Sequence, residues 1–191
     1  MAAVRAEIAD REEGVVVPWA FELYLDEGSA AIIRALGMPP RSSPHISLGV
    51  TESIQGRVED ALCDWATRQQ PIAVTLDHWG LFLSETAVLF LGVRERATLA
   101  EVYWDMHRVT EGLLGGEWTY YLPNHWVPHC TVAEDVALAD LGAVAKCVQT
   151  LELPVHASLC RLAVVQFGGR RVERWTVPLG TGRSGDAAVP P

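Results

Sequence analysis

Two short segments of this 191-residue chain are near copies of one another, Pro44-His45-Ile46-Ser47-Leu48 and Pro128-His129-Cys130-Thr131-Val132. Each reads proline, histidine, apolar, hydroxyl, apolar. A strand sends residues i and i+2 to one face. Each segment therefore sets an imidazole beside a hydroxyl and turns its apolar neighbours back toward a core. His129 follows His45 by 84 residues (129 − 45), close to half a domain. In both places a proline leads into a strand, and a helical pattern follows. This is the layout of a duplicated α/β unit with pseudo-twofold symmetry. Two such strands facing each other would gather two imidazoles and two hydroxyls in one cleft. That is equipment for in-line attack at phosphorus: one imidazole takes a proton from the nucleophile, the other protonates the leaving oxygen, and the hydroxyls bind the phosphoryl oxygens.

Composition limits what such a cleft would act on. The net charge is −9, from 24 acids against 15 bases, and Lys146 is the only lysine. A chain that grips a long nucleic acid carries a basic stripe. A nucleotide or an RNA 3′ end fits this charge better, and no long nucleic acid is expected as a partner. No apolar run approaches the ~18 residues of a membrane span, and the stretch 1–14 lacks the basic-then-apolar order of a signal peptide. The expectation is a cytoplasmic monomer. Cys63, Cys130, Cys147 and Cys160 form no C-x-x-C pair, which favours reduced thiols over disulfides or a zinc cluster.

Along the chain, a polar lead-in over 1–14 precedes one domain over 15–179, and the tail over 180–191 reads as disordered. Val15 to Leu25 reads as a buried strand. Ala30, Ile32, Ile33 and Leu36 follow at helical spacing. The first motif strand should end near Val50, with Thr51 or Ser53 capping a helix that runs to about Gln69. Ile72 to Leu76, Trp79 to Leu83 and Thr86 to Val93 read as three strands. Glu95 to Leu113 reads as a helix, and Glu134-Asp135 opens another after the second motif. Leu159 to Phe167 and Val172 to Leu179 close the fold as a strand pair.

A histidine two residues before a hydroxyl is weak taken singly. His156-Ala157-Ser158 matches too, but it lacks an adjacent proline and a following helix, so it reads as an edge-strand histidine. His125 and His129 have a spacing that ligates zinc on a helix, yet Pro128 and the aromatic run argue against a helix there. No metal is expected. His78 and His107 read as polar residues on a turn and on a helix surface. Tyr121 and Trp126, ahead of the second motif, either pack in the core, as aromatics more often do, or stack on a base, and Arg41 is a candidate phosphate contact.

With both motifs quoted, the chain resembles the two-histidine (2H) phosphoesterase superfamily, the 2′-5′ RNA ligase and cyclic phosphodiesterase group. That family is marked by two H-x-[ST]-x motifs half a domain apart. The resemblance spans Val15 to Leu179 and includes Trp79-Gly80-Leu81-Phe82 ahead of the Val88 to Val93 strand. It implies an α+β fold, a bilobal duplicated unit with antiparallel sheets lining a central cleft. It also implies a cofactor-free phosphodiesterase that opens 2′,3′-cyclic phosphates or other 2′-linked phosphodiesters. By the same analogy His45 and His129 are the acid–base pair, with His129 toward water and His45 toward the leaving oxygen. Ser47 and Thr131 are the phosphate-binding hydroxyls. Ser47 departs from the threonine of many relatives, which removes a methyl and keeps the donor. Two other readings stay open at this point. One is a binding module of the same fold without turnover, and the other a metal-dependent hydrolase using His125, His129 and a carboxylate.

Overall fold

The computed structural model describes residues 16–37, 43–168 and 171–180. The lead-in over 1–14, Arg41 and the tail beyond Gly180 lie outside the described residues. Strand β1 (Trp19–Leu25) pairs antiparallel with β2 (His45–Ile54), and between them runs helix α1 (Glu27–Arg34). Alternation in β1 is strict in its consequence. Phe21 and Leu23 are fully buried on one face, and Glu22 and Tyr24 stand on the other. Asp26 starts α1 by accepting from the Ser29 amide at 2.9 Å, and it accepts from the Ser158 amide at 2.8 Å as well. One carboxylate thus satisfies a helix N-terminus and ties it to a distant strand.

Helix α2 (Val58–Arg68) follows β2; β3 (Ile72–Leu83) and β4 (Thr86–Val93) form a hairpin, and α3 (Arg96–Val109) leads to β5 (Leu114–Glu117). A single 3₁₀ turn at Thr119–Tyr121 precedes β6 (His129–Ala137), and α4 (Leu141–Val148) precedes β7 (Val155–Gln166) and β8 (Val172–Pro178). The strand order is β1-β2-β6-β4-β3-β7-β8, and β7 pairs with β1 as well. β7 can do both because its first half pairs with β3 and its second half with β1 and β8. The two lobes are therefore joined along β7 and, between the motif strands, by one bridge, Ile46 to Cys130. Among the described residues that bridge is the one pairing of β2 with β6, and it sits between the two motifs.

The helices cover the apolar face of the sheet. Trp65 of α2 and Met106 of α3 are fully buried there with Ile46, Leu48, Leu91 and Leu162. Each such side chain contributes roughly 1.5–3 kcal/mol by leaving water. The Trp65 indole N–H, which burial would otherwise orphan, donates to Asp105 at 2.9 Å.

Three local expectations are corrected. Thr51 and Ser53 do not cap a helix: β2 continues to Ile54 because β5 pairs with it, and the Thr51 hydroxyl donates to the Gly115 carbonyl at 2.8 Å. Glu134 and Asp135 do not open a helix either: they form a bulge in β6, with Asp135 at φ 54°, and β4 pairs again at Val136 and Ala137. The runs before and after Asp77 are one strand with an irregularity at that residue.

Candidate active site

Both motifs lie on strands and alternate as their sequences require. His45, Ser47, His129 and Thr131 are half-buried, while Ile46, Leu48, Cys130 and Val132 are buried beneath them. The Ile46–Cys130 bridge fixes their mutual placement. Carrying that antiparallel register one residue either way sets His45 across from Thr131 and Ser47 across from His129. The two imidazoles then stand on one diagonal, at the roughly 7–8 Å spacing of such neighbours, and the two hydroxyls on the other.

The rings are oriented by the same local device in both lobes. His45 Nδ1 lies 2.7 Å from the Ser43 carbonyl, and His129 Nδ1 lies 2.7 Å from the Val127 carbonyl. A carbonyl only accepts, so each Nδ1 carries its hydrogen. That makes Nε2 the proton-exchanging atom of each ring. Pro44 and Pro128, both buried, hold the strand entries that bring those carbonyls round.

Beyond the rings the lobes differ. Facing His45 Nε2, at 3.4 Å, is Oε1 of Glu22, a carboxylate 1% exposed. Its other oxygen pairs with Arg171, which also hydrogen-bonds the Tyr24 phenol. Around His129 stand phenyl rings instead: Phe82 meets it edge-on at 4.9 Å between centroids, and Phe90 lies at 5.1 Å. Burial pulls the His129 imidazole down to about 4, with the charge of His45 pulling the same way and the Val127 carbonyl opposing. His129 is neutral at pH 7.

Other residues brace this arrangement. The Tyr121 phenol hydrogen-bonds Ser47, and burial pushes it up to about 12. Trp126 donates its indole N–H to the Ser47 carbonyl at 2.9 Å and stacks on Tyr103 at 4.6 Å. His78 is no turn residue: it sits in mid-strand on β3, across from Gly92, which in turn pairs with His129. A Cβ at Gly92 would lie 2.1 Å from the His78 ring. His107 is not a free surface group either, because its ring contacts Glu117 at 3.1 Å and the Leu48 carbonyl at 3.2 Å. A concavity of about 210 Å³ adjoins His107, Thr110 and Leu122. Neither motif lines it. His156 sits on the half of β7 that pairs with β3, apart from both motifs. Among the described residues no three His, Cys, Asp or Glu side chains form a metal-holding group, and no helix is long and apolar enough to cross a membrane.

Glu22 and Arg171 escaped the sequence reading. Glu22 left a trace there, as the one charge inside the otherwise apolar-rich run of β1. Arg171 left none.

The profile of the 2′-5′ RNA ligase superfamily matches residues 33–171, most of the chain and both motifs. The chain belongs to that superfamily. Its fold is that of the 2H phosphoesterases. The TT0787 protein of Thermus thermophilus superposes with a TM-score of 0.56 at 16% identity, covering 87% of this chain and 99% of its own. Escherichia coli LigT complexed with 3′-AMP superposes with a TM-score of 0.53 at 18% identity, covering 86% and 98%. Another LigT structure of the same fold holds phosphate. No curated protein matches the sequence.

Proposed function

We propose that this member of the superfamily is a metal-independent phosphodiesterase that opens a 2′,3′-cyclic phosphate, or another 2′-linked phosphodiester, on a nucleotide or RNA 3′ end. The observation that carries this is the diagonal of two imidazoles whose Nδ1 atoms are both tied to backbone carbonyls. Neutral His129 accepts a proton from water at Nε2 as the water oxygen bonds to phosphorus. His45 gives an Nε2 proton to the ribose oxygen as the P–O bond breaks. The product is a phosphomonoester, and a proton exchange with solvent resets the pair. Ser47 and Thr131 donate to the phosphoryl oxygens, where charge grows in the transition state. Tyr121 and Trp126 border Ser47, and with Arg41 they are the proposed substrate contacts. The ligands of the LigT structures, 3′-AMP and phosphate, belong to the chemical class this reading requires. A reaction run by two histidines gives a bell-shaped pH–rate profile. Its rising limb follows His129, near pH 4.

The test is hydrolysis of the four nucleoside 2′,3′-cyclic monophosphates and a 2′,3′-cyclic-phosphate-ended RNA, with EDTA present. His45→Ala and His129→Ala should each lose at least about 10²-fold in turnover, with substrate affinity kept, and His156→Ala should match wild type. No turnover of any of these by folded wild type, or loss confined to His156→Ala, contradicts the reading.

A further inference from the structure

The proposed mechanism needs two like side chains in unlike states. Both histidines sit on the same backbone pattern and bond to the same kind of carbonyl, so the motif itself cannot separate them. Something outside it must. Among the described residues, charged and titratable groups approach His45 from four elements. Glu22 and Tyr24 project from β1, and the register sets them across from Ser47 and His45. Arg171 reaches in from just ahead of β8. Arg161 of β7 lies over the Tyr24 ring at 4.7 Å, and His129 faces from β6. Glu22 offers His45 a negative charge, with Oε1 3.4 Å from Nε2. Tyr24, pushed up to about 12 by burial and by Glu22, stays a neutral phenol.

The geometry of the ring nitrogens is then decisive. His45 Nδ1 faces a carbonyl oxygen, and Nε2 faces a carboxylate oxygen. Both are acceptors. A neutral imidazole has one N–H and satisfies one of them, whereas the imidazolium has two and satisfies both. Resting on the phosphodiesterase reading, we propose that Glu22 is a positioning residue that holds His45 doubly protonated, as the proton donor to the leaving oxygen. Arg171 sets how strongly it does so, because it shares the carboxylate. With Arg171 in place Glu22 is neutralised in part, so the proton on Nε2 is held but can still leave during the reaction. Glu22 itself touches no reacting atom of the substrate.

Glu22→Gln and Arg171→Met push in opposite directions, which protects the test against a variant that is merely damaged. The first readout is the ring ¹⁵N spectrum of His45 at pH 7, which needs no substrate. Wild type shows both nitrogens protonated, and Glu22→Gln shows one. The second is the pH–rate profile on a 2′,3′-cyclic nucleotide. In Glu22→Gln the falling limb moves down by about one pH unit and kcat at pH 8 drops about tenfold, with KM little changed. Glu22→Asp restores part of the shift. In Arg171→Met the falling limb moves up, because Glu22 then pairs with His45 alone. An unchanged His45 spectrum in Glu22→Gln overturns the proposal, as does a limb that shifts the same way in both variants. If wild type turns over no substrate, the spectrum still decides the role of Glu22, and the activity assay alone has failed.

Discussion

The two motif strands repeat one backbone design and then part company one residue layer out. In the lobe of His45 the next layer holds an ion pair, Glu22 with Arg171, beside the neutral phenol of Tyr24, packed in a space where a lone carboxylate would be costly. In the lobe of His129 it is aromatic, with Phe82 and Phe90 stacked on each other at 4.4 Å and both against the imidazole. A carboxylate favours a charged ring and phenyl rings favour a neutral one. On the proposed mechanism, the two histidines share one backbone setting, and their surroundings would make one a donor and the other an acceptor.

The largest effect should come from removing each histidine in turn while changing the leaving group. Toward a natural ribose oxygen, His45→Ala and His129→Ala should both lose about 10²–10⁴-fold. A p-nitrophenyl phosphodiester expels a phenolate that needs no proton. On it His45→Ala should recover most of its loss while His129→Ala does not. Equal recovery by both variants would erase the distinction between the lobes.

Opening the aromatic side is the next test. Phe82→Ala or Phe90→Ala admits water to His129, so the rising limb of the pH–rate profile should climb from near 4 by about one unit toward the ordinary value near 6.5. A limb that stays in place would mean the phenyl rings are not what keeps His129 neutral.

The same burial has a stability cost with a definite sign. His129 binds its proton near 4 in the folded chain and near 6.5 in the unfolded one. Between those values the unfolded chain holds more protons, so stability falls as pH drops from 6.5 toward 4 and is whole above that window. The ring is half-buried and its rim meets water, so the loss should be on the order of 1–2 kcal/mol, below what the shift alone implies. Urea denaturation at pH 7 and pH 4.5 should show it in wild type, and His129→Gln should flatten that part of the slope.

Smaller still is the brace behind Ser47. Trp126→Phe keeps the stack on Tyr103 and deletes the indole N–H that bonds the Ser47 carbonyl. A loss of about 0.5–1.5 kcal/mol in stability is expected, from one hydrogen bond. Turnover should fall only a few-fold.

How much of this was legible in the chain depended on whether the signal was local. The strand alternation at His45 to Leu48 and His129 to Val132 stood in the sequence and reappears as half-buried over buried. The ends of those strands did not. Thr51 and Ser53 look like helix caps until β5, more than sixty residues later, pairs with them, and Glu134 looks like a helix start until β4, pairing on both sides of it, makes it part of a bulge. His78 was misplaced because nothing in Asp77-His78 announces that Gly92 clears the space its ring occupies. The groups that distinguish the lobes were the hardest to see. Glu22 and Arg171 meet across about 150 residues of chain, brought together by the pairing of β1 with β7 and of β7 with β8.

The most direct measurement is the ring ¹⁵N spectrum of the two motif histidines in the wild-type protein at pH 6.5, assigned with the His45→Ala and His129→Ala variants. Two protonated nitrogens are expected on His45 and, on His129, a protonated Nδ1 with a bare Nε2. The same state on both rings, or the reverse assignment, would contradict it.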